Sequence, residues 1–388
     1  MDKLHILILP SWYKRFNYEQ SATFVYEQAQ ALKEVGYKVA IVSINQMNFK
    51  TFICFKKQKG KLYEEYYDKG LLTLRLNVYK LPLPSYIEYT FLLFIIFKKY
   101  IRKYGKPDII HAHSFYNAGL GAVILNKLYK IPIFLTEHSS SFLLKYVSLF
   151  RLFLMKKVLY KFESNFAVSK FFQKELNSIF NNNFEYLPNI LPSSFENIKL
   201  ESIKKDKFII LNIANLNKNK NHKLLIKAFS ILAKEINDIE LRIGGKGPEY
   251  SDINNYINEL NMSDKVILLG ELDREEVKNE LTNSDLFVLS SNFETFGVVL
   301  IEALSYGKPI ISTKCGGPNE IVIENNGLLV EKENVEEMSN AIKYIYNNID
   351  KYNNQEIKEE CINNYGTKSF LKRIEPIYIK NLRDKNEE

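Results

Sequence analysis

The sequence is poor in the residues that build covalent and metal frameworks. Only three cysteines, Cys54, Cys315 and Cys361, occur in 388 residues. They lie far apart and form no CxxC pair, which argues against a disulfide framework and a structural zinc site and fits a reducing cytoplasm. The first apolar run, HILIL, is not expected to be an export signal: it leads straight to Pro10 and the aromatic pair Trp12-Tyr13, with no small-residue cleavage site behind it. That run reads as a first strand. The segment YIEYTFLLFIIFKKYIRKYGK (86–106) holds nine uncharged, mostly apolar residues, Tyr89 to Phe97, far short of the ~20 that a spanning helix needs.

What is present is the composition of a soluble globular protein, 46% hydrophobic and 25% charged, in a chain longer than one core usually fills. The net charge of +8 is unevenly divided. Residues 1–200 carry 28 lysines and arginines against 14 acids, a net of +14, and residues 201–388 carry 25 against 31, a net of −6. A basic half suits nucleic acid, an anionic membrane or an acidic substrate; no basic-aromatic module accompanies the charge, which speaks against nucleic acid.

Short β-rich runs alternate with helical periodicity, the pattern of parallel sheets wrapped by helices. The strands expected are 5–9, 38–43, 108–112, 131–136 and 165–169, then, after a polar Lys-rich linker near 190–206, 208–214, 239–244, 265–270, 285–290 and 309–313. The tail, 334–386, reads as two or three helices without strands. Two apolar-basic segments, 86–106 and 142–162 (with Lys145, Arg151, Lys156, Lys157 and Lys161), leave two readings open. They are packed helices with solvated lysines, or helices that dock on an anionic leaflet, where each basic residue adds ~1 kcal/mol.

Open α/β sheets bind ligands beyond the carboxyl ends of their strands, so ligand-facing residues are expected in the loops that follow strands. In SNFETFGVVLIEALSYGKP (291–309), Glu302 interrupts the apolar residues of a helix expected to start near Gly297 and to be buried all round. A lone buried carboxylate costs several kcal/mol unless something meets it. The partner is either an internal Lys or Arg, or ligand hydroxyls. Glu294 lies in the preceding loop, where helix-end amides favour anions, and Gly297 lets a phosphate or sugar oxygen come close.

Glu294, Phe296, Gly297 and Glu302, followed by EALSYGKPIIST and CGGPNEIV, resemble the signature of the retaining glycosyltransferases of family 4. The resemblance implies the GT-B fold, two doubly wound α/β Rossmann-like domains facing across a cleft. It implies an acceptor-binding domain over 1–195, a donor-binding domain over 196–365, and a C-terminal helix, 366–388, packing back toward the first. Glu294 would contact the transferred sugar, amides of Phe296, Gly297, Val298 and Val299 would hold sugar and diphosphate, and Glu302 would bind the ribose. In LNIANLNKNKNHKLLIKAF (211–229), Lys220 falls on the family's diphosphate lysine, with Lys218 near it, while Asn215 stands at the arginine position and removes one cation. Gly245, in GGKGPE, matches a glycine-rich turn that is equally a plain strand-to-helix connection. In the first half, Ser21 and Ala22 replace a glycine pair of the family's first loop, leaving less room for backbone approach. His138, in TEHSS, matches a histidine beside the reaction centre on the acceptor side. His113 is placed with it, although the HxH pair His111 and His113 reads as structural; metal binding there needs further ligands. YLPN (186–189) resembles the turn into the second domain.

The function implied is retaining transfer of a hexose from a nucleotide-diphosphate sugar to a glycan or lipid-linked acceptor in cell-envelope polysaccharide synthesis. The protein would be cytoplasmic, with peripheral contact at the inner membrane face. The catalytic set is His138, Glu294 and Lys220. No Asp-x-Asp pair occurs, so the usual metal ligands for a diphosphate are missing; no metal or other cofactor is expected, and Lys220 and helix-end amides would stabilise the leaving group. Hydrolysis by the pair Glu294 and Glu302 is disfavoured, because eight residues of loop and helix separate them by more than the ~5–9.5 Å which that chemistry uses. The alternatives are a silent nucleotide-sugar-binding protein, should Asn215 abolish turnover, and a nucleotide-sugar epimerase of the same fold.

Overall fold

Near-continuous apolar runs such as HILILP and IIHAH are what a parallel strand covered on both faces requires, and in the computed structural model each lies wholly buried in a sheet. The structure describes residues 4–14, 22–144, 146–200 and 205–386. The described chain divides into two units: residues up to Ile190 together with the chain from Phe370, and Leu191–Ser369.

The first unit runs β1 (His5–Pro10), α1 (Thr23–Glu34), β2 (Lys38–Met47), α2 (Phe49–Lys57), β3 (Tyr63–Asp68), β4 (Leu71–Tyr79), α3 (Ser85–Tyr104), β5 (Ile109–His113), α4 (Leu120–Tyr129), β6 (Ile133–Glu137), α5 (Leu149–Val158), β7 (Ser164–Ala167), α6 (Lys170–Phe180) and β8 (Phe184–Tyr186). Its strand order is β3-β4-β2-β1-β5-β6-β7-β8. All neighbours pair in parallel except β3 and β4. That hairpin is absent from the sequence reading. Asp68 pairs with Leu71 across Lys69 and Gly70, both at positive φ (46° and 78°), the geometry of the two-residue turn that joins twisted strands.

The second unit runs α7 (Ser193–Glu196), β9 (Phe208–Ile213), α8 (His222–Leu232), β10 (Ile239–Gly244), α9 (Tyr250–Glu259), β11 (Val266–Gly270), α10 (Arg274–Asn283), β12 (Leu286–Leu289), α11 (Val298–Ser305), β13 (Ile310–Thr313), β14 (Gly327–Val330), α12 (Val335–Asn347) and α13 (Asn354–Tyr365). Its six strands are ordered β11-β10-β9-β12-β13-β14, parallel throughout. Here too the order reverses beside the first strand, β9, so the loops after β9 and β12 open side by side at the carboxyl end.

The division falls after Ile190 and after Ser369 rather than at 195 and 365. The stretch expected as a linker is partly a built element, because Phe195 of α7 is fully buried and meets Tyr306 edge-on at 5.8 Å; one aromatic anchor outweighs the polar residues around it. The last helix, α14 (Thr367–Asn386), places Phe370, Leu371, Ile374 and Tyr378 in the core of the first unit with Ile6, Ile109, Phe134 and Phe166. Tyr378 Oη bonds His111 Nδ1 at 2.5 Å, both groups buried. Tyr378→Phe should therefore leave a buried imidazole nitrogen without its partner and cost about 1–3 kcal/mol, measured as a lowered Tm with unchanged far-UV circular dichroism.

Candidate active site

In the second unit the loops after β9 and β12 are tied together by Asn219. Its carboxamide oxygen accepts from Phe293 N–H at 3.1 Å, its Nδ2 donates to the Phe293 carbonyl at 3.0 Å, and its main-chain carbonyl accepts from Asn292 N–H at 2.7 Å. Ser290 Oγ adds a bond to the Lys220 carbonyl at 2.8 Å. This stitching sets Lys220, at the end of the short turn Lys218–Lys220, against Glu294. Lys220 Nζ forms an ion pair with Glu294 Oε1, and Ser291 Oγ donates to the same oxygen at 2.8 Å. The backbone of Glu294 is clamped on both sides, its N–H on the Cys315 carbonyl at 2.8 Å and its carbonyl on Gly317 N–H at 2.9 Å. Two residues that the sequence reading put in separate roles thus share one charge pair.

The first turn of α11 stands next to this pair. Gly297, its N-cap, has φ 104° and no side-chain cap is present. Leu300 N–H turns back onto the Gly297 carbonyl at 2.9 Å, while the amides of Val298 and Val299 have no acceptor inside the helix. Burial begins at Leu300; Val298 and Val299 are partly exposed. The expectation of a helix buried all round is corrected to this extent, because its N-terminal turn emerges at the loop end of the sheet. Phe296 is buried and meets Tyr365 edge-on at 5.6 Å, so its ring is core and only its backbone faces the loop.

Glu302 finds a cation that the sequence did not announce. Arg274, at the start of α10, reaches Glu302 Oε1 at 3.4 Å and lies over the Phe195 ring at 4.8 Å. The Arg274 side chain keeps about a third of its surface, 32%, exposed against 11% for Glu302, which puts the pair at a rim. Tyr306 lies beside it, its hydroxyl pushed up to about 12 by burial first and by Glu275 and Glu302 next.

Asn215 is exposed in the turn after β9. Gly245 has φ 145°, and a Cβ there would lie 1.9 Å from the Ala214 carbonyl oxygen. The loop after β10 can therefore rest on the loop after β9 only through a glycine.

In the first unit, β5 and β6 bring three histidines into one stack. His111 and His113 rings are 4.7 Å apart, His113 and His138 rings 5.2 Å apart, and His113 Nδ1 bonds His138 Nε2 at 3.0 Å. His111 is used up structurally, by Tyr378 and by Thr136 Oγ1 at 2.8 Å. His138 stacks on Phe24 at 4.1 Å. Ala22 is the left-handed N-cap of α1 (φ 56°), in the conformation that a glycine adopts without strain; Ser21 lies outside the described residues.

Burial drives all five histidines down from their usual value: His113 to about 3, His222 to about 4 with Lys220 as second cause, His5, and, well below it, His111 and His138. The unfolded chain then binds more protons than the folded one below the ordinary histidine range. The stability that the neutral rings confer is complete above ~6.5 and is lost as pH falls from there toward about 3. Glu137, raised mainly by burial, offsets part of this. Tm measured from pH 7.5 to 5 should fall steadily, and His113→Asn should flatten the slope.

The carboxyl ends of β1, β5 and β6 also border a cavity of about 250 Å³ lined by Ser11, Trp12, Phe115, Tyr116, Glu137 and Arg151, among others. Glu137 and Ser139 line it, whereas His138 between them turns to His113 and Phe24. The residues the sequence reading missed are Asn219, Ser291, Arg274 and Glu137. The last adjoins a histidine that was read, so TEHSS held the signal.

Comparison with known proteins covers nearly the whole chain. Residues 21–191 match the model of Glycosyltransferase Family 4, and residues 193–362 match that of Glycosyl transferases group 1. An uncharacterized glycosyltransferase of Methanocaldococcus jannaschii, MJ1178, is 30% identical over 62% of this chain and 66% of its own length. A Campylobacter jejuni protein, N-acetylgalactosamine-N,N'-diacetylbacillosaminyl-diphospho-undecaprenol 4-alpha-N-acetylgalactosaminyltransferase, is 37% identical over 40% of this chain and 41% of its own. Anabaena Alr3699/HepE, solved in complex with UDP, superposes with a TM-score of 0.73 at 16% identity, covering 96% of this chain and 99% of that one.

Proposed function

The chain belongs to glycosyltransferase family 4, and from that premise we propose that it moves a hexose from a nucleotide-diphosphate sugar to a glycan or lipid-linked acceptor, with retained anomeric configuration. The observation that carries this reading is the Lys220–Glu294 pair beside the open first turn of α11. A diphosphate placed on the amides of Val298 and Val299 would draw Lys220 toward it, and the released Glu294 carboxylate would then accept hydrogen bonds from sugar hydroxyls. As the glycosidic bond breaks, Lys220 and the helix end counter the charge that develops on the leaving phosphate. The acceptor attacks on the same face, assisted by that phosphate; this route needs no metal. The Glu302–Arg274 pair at the rim supports a ribose contact there. A cell-envelope acceptor at the inner membrane face is supported by the net +14 of residues 1–200 and by the diphospho-undecaprenol named in the Campylobacter relative.

The test is a melting-temperature screen with UDP, GDP and ADP, followed by incubation with the matching radiolabelled nucleotide sugar and a membrane lipid extract. One base should raise Tm by mass action, and label should pass into the extract. Binding without transfer favours the silent binder, and an isomerised nucleotide sugar the epimerase. No response to any of the three bases ends the proposal.

A further inference from the structure

The cavity in the first unit has features that a plain gap between loops does not need. Its wall begins at Ser114, a non-glycine residue held at φ 64°, ψ 135°, and continues through a π-helical turn, Phe115–Gly119. Both are costly geometries that cluster at functional sites. Behind them Glu137, only 1% exposed, spends its carboxylate on the N–H groups of Phe115, His138 and Ser139, each at 2.9 Å. It thereby fixes the two loops that frame the opening. Trp12 and Tyr116 add aromatic surface to a lining that also carries the hydroxyls of Ser139 and Ser141, the mixture on which a sugar ring stacks and hydrogen-bonds, while the Ser11 hydroxyl is spent on the Ser114 carbonyl and the Ala118 N–H.

One wall is supplied by α5, and this wall is charged. The Arg151 guanidinium lies 3.7 Å from the centre of the Tyr116 ring, and no carboxylate pairs with it among the described residues. A stacked arginine without an internal anion is set up for phosphate, which it can grip with two donors. On the same helix Leu149, Phe150 and Phe153 are 84%, 56% and 55% exposed, and Lys156 and Lys157 follow in its last turn. Phe150 continues the apolar surface to Tyr86 of α3, 6.5 Å away, and α3 exposes Ile87, Phe91 and Ile95 in turn. Aromatic floor, unpaired cation and bare apolar helix face therefore follow one another outward from the cavity.

We propose that this cavity is the acceptor site and that its occupant is a membrane-borne polyprenyl-phosphate-linked saccharide. The first sugar lies against Trp12 and Tyr116, the phosphate on Arg151, and the lipid along Leu149, Phe150 and Phe153. The inference rests on the transferase reading above and names its acceptor class. Trp12 is the only tryptophan in the chain, so its emission reports occupancy directly.

The experiment titrates the full-length protein with phosphatidylcholine vesicles carrying undecaprenyl-phosphate-linked N-acetylglucosamine. The comparisons are vesicles carrying phosphatidylglycerol at matched surface charge, and soluble pyrophosphate. The vesicles carrying the polyprenyl-phosphate-linked sugar should change Trp12 emission saturably. Phosphatidylglycerol vesicles and pyrophosphate should need at least about tenfold higher concentration, and Arg151→Gln, with an unchanged Tm, should weaken the polyprenyl response by about tenfold. Leu149→Ser with Phe150→Ser should weaken vesicle binding while sparing the Tm. Equal responses to the two anionic lipids would reduce the face to general charge attraction and overturn the proposal, as would an Arg151→Gln protein that responds like the parent. The nucleotide screen separates the two readings: a nucleotide that raises Tm in a protein blind to the polyprenyl-phosphate-linked sugar removes the acceptor assignment and leaves the transferase standing.

Discussion

Glu294→Gln should lower sugar transfer by about 10²–10³-fold while changing nucleotide affinity by less than about threefold, because it removes an interaction that grows as charge develops and little of what holds the nucleotide. Glutamine keeps the shape and the Ser291 bond but loses the charge that Lys220 meets. The Lys220 and Glu294 side chains are 18% and 15% exposed, so breaking the pair should also cost about 1–3 kcal/mol of stability. Lys220→Ala supplies the contrast. It should weaken nucleotide-diphosphate binding by about 10–100-fold, the value of a charge-assisted bond to phosphate, and suppress the Tm rise that the nucleotide gives the parent. If the pair were only a structural contact, the two single variants would lose stability alike, the double variant would recover part of it, and nucleotide affinity would not separate them. Isothermal titration and initial rates on all four proteins decide between these outcomes.

The parts of the site legible in the sequence are those whose meaning is local. Lys220, Glu294 and Gly297 each sit a few residues beyond a strand, where the sheet's own geometry puts ligand-facing loops. Arg274 belongs to the opposite case. It meets Glu302 across 28 residues while lying over the Phe195 ring, and nothing around Arg274 announces that contact. Arg151 was legible as a basic residue in an apolar segment; its stacking on Tyr116 depends on a π-helical turn that no residue pattern encodes. The β3-β4 hairpin went unread for a third reason. Tyr63–Asp68 is an edge strand, charged and half-exposed, and its signal lay in the Lys69-Gly70 turn rather than in an apolar run. The expected central strands of both sheets were read because burial on two faces leaves little choice but Val, Ile and Leu.

Gly317→Ala should be among the most damaging single-methyl changes in the second unit, with a loss of about 3 kcal/mol or more. A Cβ at Gly317 would stand 2.4 Å from Phe296 Cα and 2.5 Å from the Thr295 carbonyl oxygen. Both neighbours are backbone, so no side chain can swing aside. Phe296 cannot retreat either, since its ring is locked in the core against Tyr365. The strain must pass into the segment Glu294–Gly297, whose bonds to Cys315 and Gly317 hold the carboxylate against Lys220. A shift of about 1 Å there is enough to cost about 10²-fold in rate, so turnover should collapse further than the lowered Tm alone explains when assayed well below the melting transition. Gly105→Ala is the matched control. Its added Cβ meets nothing within 4 Å, and its φ of 88° lies in the left-handed region where that of Gly317 does not, so it should show a backbone cost alone, without the loss of rate. A Gly317→Ala protein that melts and turns over like that control would mean that the CGGP segment does not bear on the glutamate loop, and the geometry assigned to Glu294 would fall with it.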